Sequence, residues 1–223
     1  VPDIRESELA IVGLPVYAGR LPNLLLNYLT TWQSNGAWAV PVVVYGNRSY
    51  GNALVELYDI LRYRGFHPIA AAAFVGQHSF TTRLATGRPD REDLEKAEQF
   101  SAEIVRRILQ PGEFTGIKIP GQGAPDYGGY YKPKGRDEEV VNFLKAKPVT
   151  TDACIDCRRC AKVCPMGAIR LDHPSEVSGI CIKCNACVKQ CPVHAKQLTD
   201  EAYLSHVGFL ENRYTSRARI ELF

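Results

Sequence analysis

The first 153 residues contain no cysteine, and all eight cysteines of the 223-residue chain fall between Cys154 and Cys191. A disulfide framework spread through a small secreted fold is therefore excluded for most of the chain, and the abrupt change in composition marks a domain boundary. Long apolar runs are missing as well. Stretches such as 37–45 and 68–75 fall well short of the roughly 20 residues a helix needs to cross a bilayer. No secretory signal pattern opens the sequence, which begins Val1-Pro2-Asp3 without an initiating Met. Nor is there an excess of charge of one sign: 27 Lys and Arg stand against 24 Asp and Glu, and the basic residues are scattered. This excludes a basic face for nucleic acid or an anionic membrane. The expectation is a cytoplasmic chain with no membrane span and no nucleic-acid partner.

What is present in the first half is alternation. Leu9-Ala-Ile-Val-Gly13, Ala39-Val-Pro-Val-Val-Val-Tyr45 and Ile69-Ala-Ala-Ala-Ala-Phe-Val75 are short apolar runs that suit strands buried on both faces. Helical patterns separate and follow them. One starts at Pro22 and carries Leu24, Leu25, Tyr28 and Leu29 before Gly36. A second puts Leu54, Leu57, Tyr58 and Leu61 on one stripe and stops at Gly65. A third begins at Asp90 and aligns Leu94, Ala97, Ser101, Ile104, Val105 and Ile108, ending in Arg106 and Arg107 as the helix dipole favours. Strands alternating with helices imply an α/β fold on a parallel sheet. Between 116 and 137 the chain turns rich in Gly, Pro and Tyr. Tyr127, Tyr130 and Tyr131 are expected to pack there, since a flexible tether favours Ser and Gly over aromatics.

The cysteines carry the sharpest signal. Cys154-Ile-Asp-Cys-Arg-Arg-Cys-Ala-Lys-Val-Cys-Pro165 repeats 27 positions later as Cys181-Ile-Lys-Cys-Asn-Ala-Cys-Val-Lys-Gln-Cys-Pro192. Both runs fit C-x2-C-x2-C-x3-C-P, in which three thiolates hold one 4Fe-4S cubane and the fourth reaches the other cluster. Cluster one is then expected on Cys154, Cys157, Cys160 and Cys191, and cluster two on Cys164, Cys181, Cys184 and Cys187. Structural zinc and disulfides are the alternatives. Zinc sites favour separated ligand pairs, and disulfide frameworks favour small secreted domains, so both rank far below the clusters. Ile155, Ile169, Ile182 and Val193 are expected to form an apolar shell or the small domain's core. After the prolines the repeats diverge, Gly167-Ala-Ile169 becoming His194-Ala-Lys196, which is expected to make the two surroundings unequal; His194 reads as a surface residue, because four cysteines satisfy each cluster. Two oxidised clusters with their thiolates would bring the net charge close to neutral.

The strand ends in the first half lead into Leu14-Pro-Val-Tyr-Ala-Gly-Arg-Leu-Pro22, Tyr45-Gly-Asn-Arg-Ser-Tyr-Gly-Asn52 and Gly76-Gln-His-Ser-Phe80. Ligands of open parallel sheets sit at such ends. These loops resemble the flavin-edge loops of flavodoxin-like domains, and with the double cysteine run the chain resembles flavodoxin–ferredoxin fusion proteins. The resemblance implies a doubly wound flavodoxin-like domain over 1–115, a linker over 116–147, a bacterial-type ferredoxin domain over 148–198 and a C-terminal helix and tail over 199–223. It also implies FMN held by Pro15, Tyr17, Ala18, Gly19, Tyr45, Gly46, Asn47, Tyr50 and Gly51, with Tyr17 or Tyr50 stacking on the ring. No strand and phosphate-cradling loop precede Leu9, so the chain is expected to be a fragment of such a protein.

Three functions fit this sequence. The first is an electron carrier in which the clusters exchange electrons with a redox protein and FMN converts one- into two-electron steps. The second is a flavoenzyme reducing a small substrate, with His78 or Tyr50 as proton donor. The third is a cluster-only carrier whose first domain docks partners without flavin. The carrier is expected over the enzyme, and no catalytic residue is assigned. Arg158, Arg159, Lys162, Lys183 and Lys189 are expected to be exposed around the clusters, as solvated charges or as guides for an acidic partner.

Overall fold

The computed structural model describes residues 4–110, 116–124 and 126–223. The opening Val1-Pro2-Asp3, the expected boundary at residue 115 and Pro125 of the Gly/Pro/Tyr-rich stretch lie outside the described residues. The chain divides into two compact units. The first comprises Val1–His78, Leu84–Tyr131 and Ser216–Phe223, and the second Ser79–Arg83 and Lys132–Thr215.

In chain order the elements are β1 (Leu9–Pro15), α1 (Asn23–Leu29), β2 (Trp38–Tyr45), α2 (Ala53–Tyr63), β3 (His67–Pro68), β4 (Ala72–Val75), α3 (Arg91–Leu109), β5 (Val149–Thr150), α4 (Arg159–Lys162), α5 (Ala186–Lys189), β6 (Lys196–Gln197), α6 (Glu201–Arg213) and β7 (Glu221–Leu222). Among the described residues no helix is long and apolar enough to cross a membrane.

In the first unit β1, β2 and β4 lie side by side and parallel, with β3 also parallel to β2. β7 joins β4 antiparallel through Ala72–Leu222 and Ala73–Glu221, so the sheet is mixed and runs β1–β2–β4–β7. The expectation of a purely parallel sheet is corrected here. The last strand pairs over two residues only, too few to leave a pattern in the sequence.

The period of two in each strand divides the apolar side chains between two cores. Ala39, Val43, Ala73 and Val75 face α1 and α2, meeting Leu29, Leu54, Leu57 and Leu61. Val40, Ala72 and Ile69 face α3, meeting Phe100 and Ile104. Leu54, Leu57 and Leu61 are nearly inaccessible, and each such burial stabilises by about 1.5–3 kcal/mol. Two expectations need correction. β1 is fully covered on one face only: Ala10 and Val12 are buried, while on the other face Leu9 packs partly against the α3 side and Ile11 is 65% exposed, because α3 packs over β2 and β4. On α3 the packed residues are Asp93, Phe100 and Ile104, whereas Leu94 and Val105 are exposed. The bulky Phe100 fixes the contact line one row away from the stripe expected from aliphatic residues.

Helix α2 ends as its Gly65 foretells. Gly65 N–H donates to the Arg62 carbonyl and Phe66 N–H to that of Leu61, the paired closure of a Schellman turn with Gly65 at φ +82°. A Cβ on Gly65 would stand 2.0 Å from the Ser34 carbonyl oxygen. G65A is therefore expected to destabilise the first unit by about 2–4 kcal/mol through left-handed strain and overpacking. Urea unfolding followed by the fluorescence of Trp32 and Trp38 checks this, and an unchanged midpoint would mean that the turn relaxes freely.

In the second unit β5 and β6 form a two-stranded antiparallel ladder. Helix α6, capped by Asp200, which accepts from Tyr203 N–H, buries Tyr203, His206, Phe209 and Leu210. Tyr203 packs with Phe143, Leu198 and Ala146 into an apolar cluster. Around the cysteine runs one small buried cluster is formed by Cys160, Ile169 and Cys187, with Ala168, Cys191 and Ala195 buried beside the cysteines. So small a core needs staples to hold a fold together.

Candidate functional site: two cysteine-lined cavities

The 27-residue repeat is a repeat of backbone geometry as well as of sequence. Asp156 and Arg158 in the first run have φ of 52° and 61°, and Lys183 and Asn185 in the second have 56° and 58°. Gly167 and His194, three residues past the last cysteine of each run, have 57° and 52°. Each run thus alternates left-handed residues with the short helices α4 and α5, whose N-caps are Arg158 and Asn185. Successive backbone N–H groups in such alternating conformations turn inward and make concavities that favour anions, including iron–sulfur clusters.

The sulfur contacts follow the same repeat. Ala168 N–H donates to Cys164 Sγ at 3.3 Å, and its counterpart Ala195 N–H to Cys191 Sγ at 3.2 Å. Lys183 N–H donates to Cys181 Sγ at 3.4 Å. Burial pushes the Cys187 thiol up to about 11 and also raises Cys160. Burial acts upward on Cys191 too, but the backbone N–H groups from Val193 to Lys196 outweigh it and lower that thiol.

Two cavities open between the runs. The first is lined by Cys154, Cys157, Cys160 and Cys191. The second is lined by Cys164, Cys181, Cys184 and Cys187. Each draws three cysteines from one run and the last from the other, so the eight residues gather as two rings of four. Among the described residues no three His, Cys, Asp or Glu side chains meet closely enough to hold a single ion; the sulfurs surround spaces instead. Donor type, ring number and inward N–H groups all suit 4Fe-4S cubanes.

The apolar residues expected around the clusters do line the cavities, Ile155 and Val193 the first and Ile169 and Ile182 the second, although Ile155 is 62% exposed and Val193 36%. Lys183 is half-buried rather than fully solvated, and its ammonium donates to the Leu144 carbonyl at 2.6 Å and to that of Cys181 at 3.1 Å. Arg158, Arg159, Lys162 and Lys189 are exposed, as is His194. Sequence reading passed over Asn185, and it noted Lys196 only as a divergence of the repeat and not as a residue that the fold buries beside a cavity. The 27-residue offset was the available signal, since it aligns them with the exposed Arg158 and the apolar Ile169.

The loops expected to hold FMN gather at the ends of β1 and β2, and they are occupied by the first unit itself. Gly51 closes on Gly19, where an added Cβ would meet the Gly19 carbonyl oxygen at 2.5 Å. Tyr17 pairs back onto Arg20, and Ala18 C=O accepts from Tyr131 N–H. Tyr45 OH donates to the Arg219 carbonyl, Asn47 Nδ2 to that of Ser216, and Tyr50 OH to the Glu221 carboxylate. Gly46 lies under the His78 ring, leaving no space for a Cβ. Pro15 closes β1 opposite Val44. The tyrosines of the Gly/Pro/Tyr-rich stretch do pack: Tyr127 OH donates to Asp59, Tyr130 OH to the Leu21 carbonyl, and Arg48 lies over the Tyr131 ring.

Comparison with known proteins agrees with the geometry of the second unit. The family model of the 4Fe-4S dicluster domain matches residues 153–196. No curated protein matches the chain.

Proposed function

We propose that the chain is a one-electron carrier working through two 4Fe-4S clusters, cluster one on Cys154, Cys157, Cys160 and Cys191 and cluster two on Cys164, Cys181, Cys184 and Cys187. The observation that carries this reading is the division of the eight cysteines between two cavities, three from one run and one from the other in each. When bound, the clusters supply the redox chemistry; the protein supplies thiolates, inward N–H groups and exclusion of water. The N–H groups of Ala168, Lys183 and Ala195 offset negative charge on sulfur. The exposure of Cys154 and Cys157 supports a cluster one near the surface, where a redox protein could approach. A cytoplasmic carrier without nucleic-acid partners fits the same reading.

FMN fits the first unit poorly. The polar tips that would face a flavin, on Tyr45, Asn47 and Tyr50, are satisfied by residues 216–221, and a flavin would have to break those bonds before making its own. The proton donors of the reductase reading meet the same objection: Tyr50 is bonded to Glu221 and His78 is packed on Gly46. No electron step is therefore routed through a flavin, and the cluster-only carrier is the function the geometry supports best.

The test is cofactor analysis of the reconstituted chain. About eight irons and eight sulfides are expected per chain, a count that follows from two cubanes, with a reducible spectrum of two interacting clusters in electron paramagnetic resonance. Two zinc ions without sulfide would sink the proposal.

A further inference from the structure

Lys196 is 2% exposed. It sits in β6 opposite Thr150, and its ammonium donates to Thr150 Oγ1 at 2.5 Å and to the Ser175 carbonyl at 2.9 Å. Both acceptors are neutral, and among the described residues Lys196 forms no ion pair with a carboxylate. Burying an ammonium without a counter-charge is costly, and removing one partner of such a pair is more so. Lysine, the most flexible and strongly hydrated of the cations, ordinarily keeps its head in water. A negative charge that side chains do not provide is therefore called for nearby.

The wall of the first cavity meets that need. Lys196 lines it together with Cys154, Cys157, Cys160 and Cys191, and a cubane with four thiolates carries about −2 when oxidised and about −3 when reduced. The repeat supplies an internal control. Twenty-seven residues earlier the same position is Ile169, 4% exposed, which lines the second cavity. One cavity thus has a fixed positive charge where the other has a methyl-bearing side chain. Resting on the cluster reading above, we infer that Lys196 is the buried counter-ion of cluster one and makes the two clusters unequal, so that the first electron entering the protein settles on cluster one.

The step is a simple one-electron reduction. A one-electron donor, dithionite in the laboratory, is oxidised, and the iron of cluster one takes up the electron with no bond made or broken and no proton transferred. The more negative reduced cluster is attracted to Lys196 more strongly than the oxidised one, and that difference favours reduction. Cluster two gains less, because its cavity is lined by Ile169 at that position and neither Lys196 nor Lys183, held at the Cys181 carbonyl, belongs to its lining.

The inference is tested on the full holoprotein in three measurements. In the half-reduced wild type, proton resonances shifted by the cluster spin identify which cysteines surround the electron. They are expected to be the β-protons of Cys154, Cys157, Cys160 and Cys191; an electron on Cys181, Cys184 and Cys187 overturns the proposal. K196Q keeps hydrogen-bonding ability toward Thr150 and Ser175 but removes the charge, and K196M removes both. Each is expected to lower the reduction equilibrium constant of cluster one at least tenfold, about 59 mV for a one-electron couple, with cluster two changing less than about threefold. T150V, which leaves the charge in place, is expected to keep the wild-type order of reduction. Unchanged potentials in K196Q, or equal shifts at both clusters, overturn the role of Lys196. Wild-type protein lacking iron and sulfide would instead overturn the cluster reading on which it rests.

Discussion

C164A is expected to empty the cluster held by the other cysteine run. In chain order Cys164 closes the first run, but in space it lines the cavity of Cys181, Cys184 and Cys187. Losing it leaves cluster two with three thiolates and an opening to water, while cluster one keeps its ring of Cys154, Cys157, Cys160 and Cys191. Bound iron is expected to fall from about eight to about four per chain. The spin-shifted resonances that remain belong to Cys154, Cys157 and Cys160. C191A is expected to give the complementary result, sparing Cys181, Cys184 and Cys187. If each run instead holds its own cluster, the surviving sets exchange places, so the pair of variants separates crossed from uncrossed ligation without reference to activity. Crossing also has a structural consequence. Since the buried residues here are few and mostly small, Cys160, Ile169 and Cys187 with Ala168, Cys191 and Ala195, crossed clusters would staple one run to the other. Either variant is therefore expected to loosen both runs, read as faster proteolysis between 153 and 196.

The parts of the molecule legible in its sequence are those fixed by local spacing. β1, β2, α2 and the Asp90 cap of α3 follow from periods of 2 and 3.6 and from capping chemistry, and they stand within two residues of their expected ends. The two rings of cysteine follow from ligand spacing alone. What was not legible depends on what another segment covers. Ile11 has the pattern of a residue buried on both sides of a sheet, and only the placement of α3 leaves it in solvent. Lys183 and Lys196 look alike as letters among solvated charges, yet one is held by carbonyls and the other is buried beside a cavity. The flavin reading failed to foresee residues 216–221, since no local pattern tells a tail that its hydrogen-bonding partners lie about 170 positions earlier. The divergence between Ile169 and Lys196 was visible in the repeat; its burial was not.

D93N is expected to destabilise the first unit by about 3–5 kcal/mol, the usual cost of stranding one member of a buried ion pair. Arg88 and Asp93 side chains are 3% and 1% exposed. Their contact is bidentate, with Nε donating to Oδ2 at 2.7 Å and Nη2 to Oδ1. Asp93 also closes the capping box of α3 by accepting from Asp90 N–H at 3.0 Å. Arg88 Nη1 donates to the Ala218 carbonyl at 2.6 Å, and Arg217 reaches Asp93 at 3.2 Å. One carboxylate thus ties together the start of α3, the loop before it and the segment that leads into β7. Asparagine keeps the shape and loses the charge, leaving the Arg88 guanidinium buried without its counter-ion. Urea unfolding followed by Trp32 and Trp38 reads the loss; a change below about 1 kcal/mol would mean that Arg88 escapes to water. Replacing both partners with apolar residues, R88M with D93L, is expected to recover most of the stability. The hydrogen bond from Arg88, against the opposing effect of burial, holds the Asp93 carboxyl below the ordinary carboxylate range. Its contribution is therefore complete above the unfolded value of about 3.9 and is lost as pH falls through the lower folded value. In D93N that part of the acid limb disappears, so the wild-type and variant stability curves should converge as the pH is lowered.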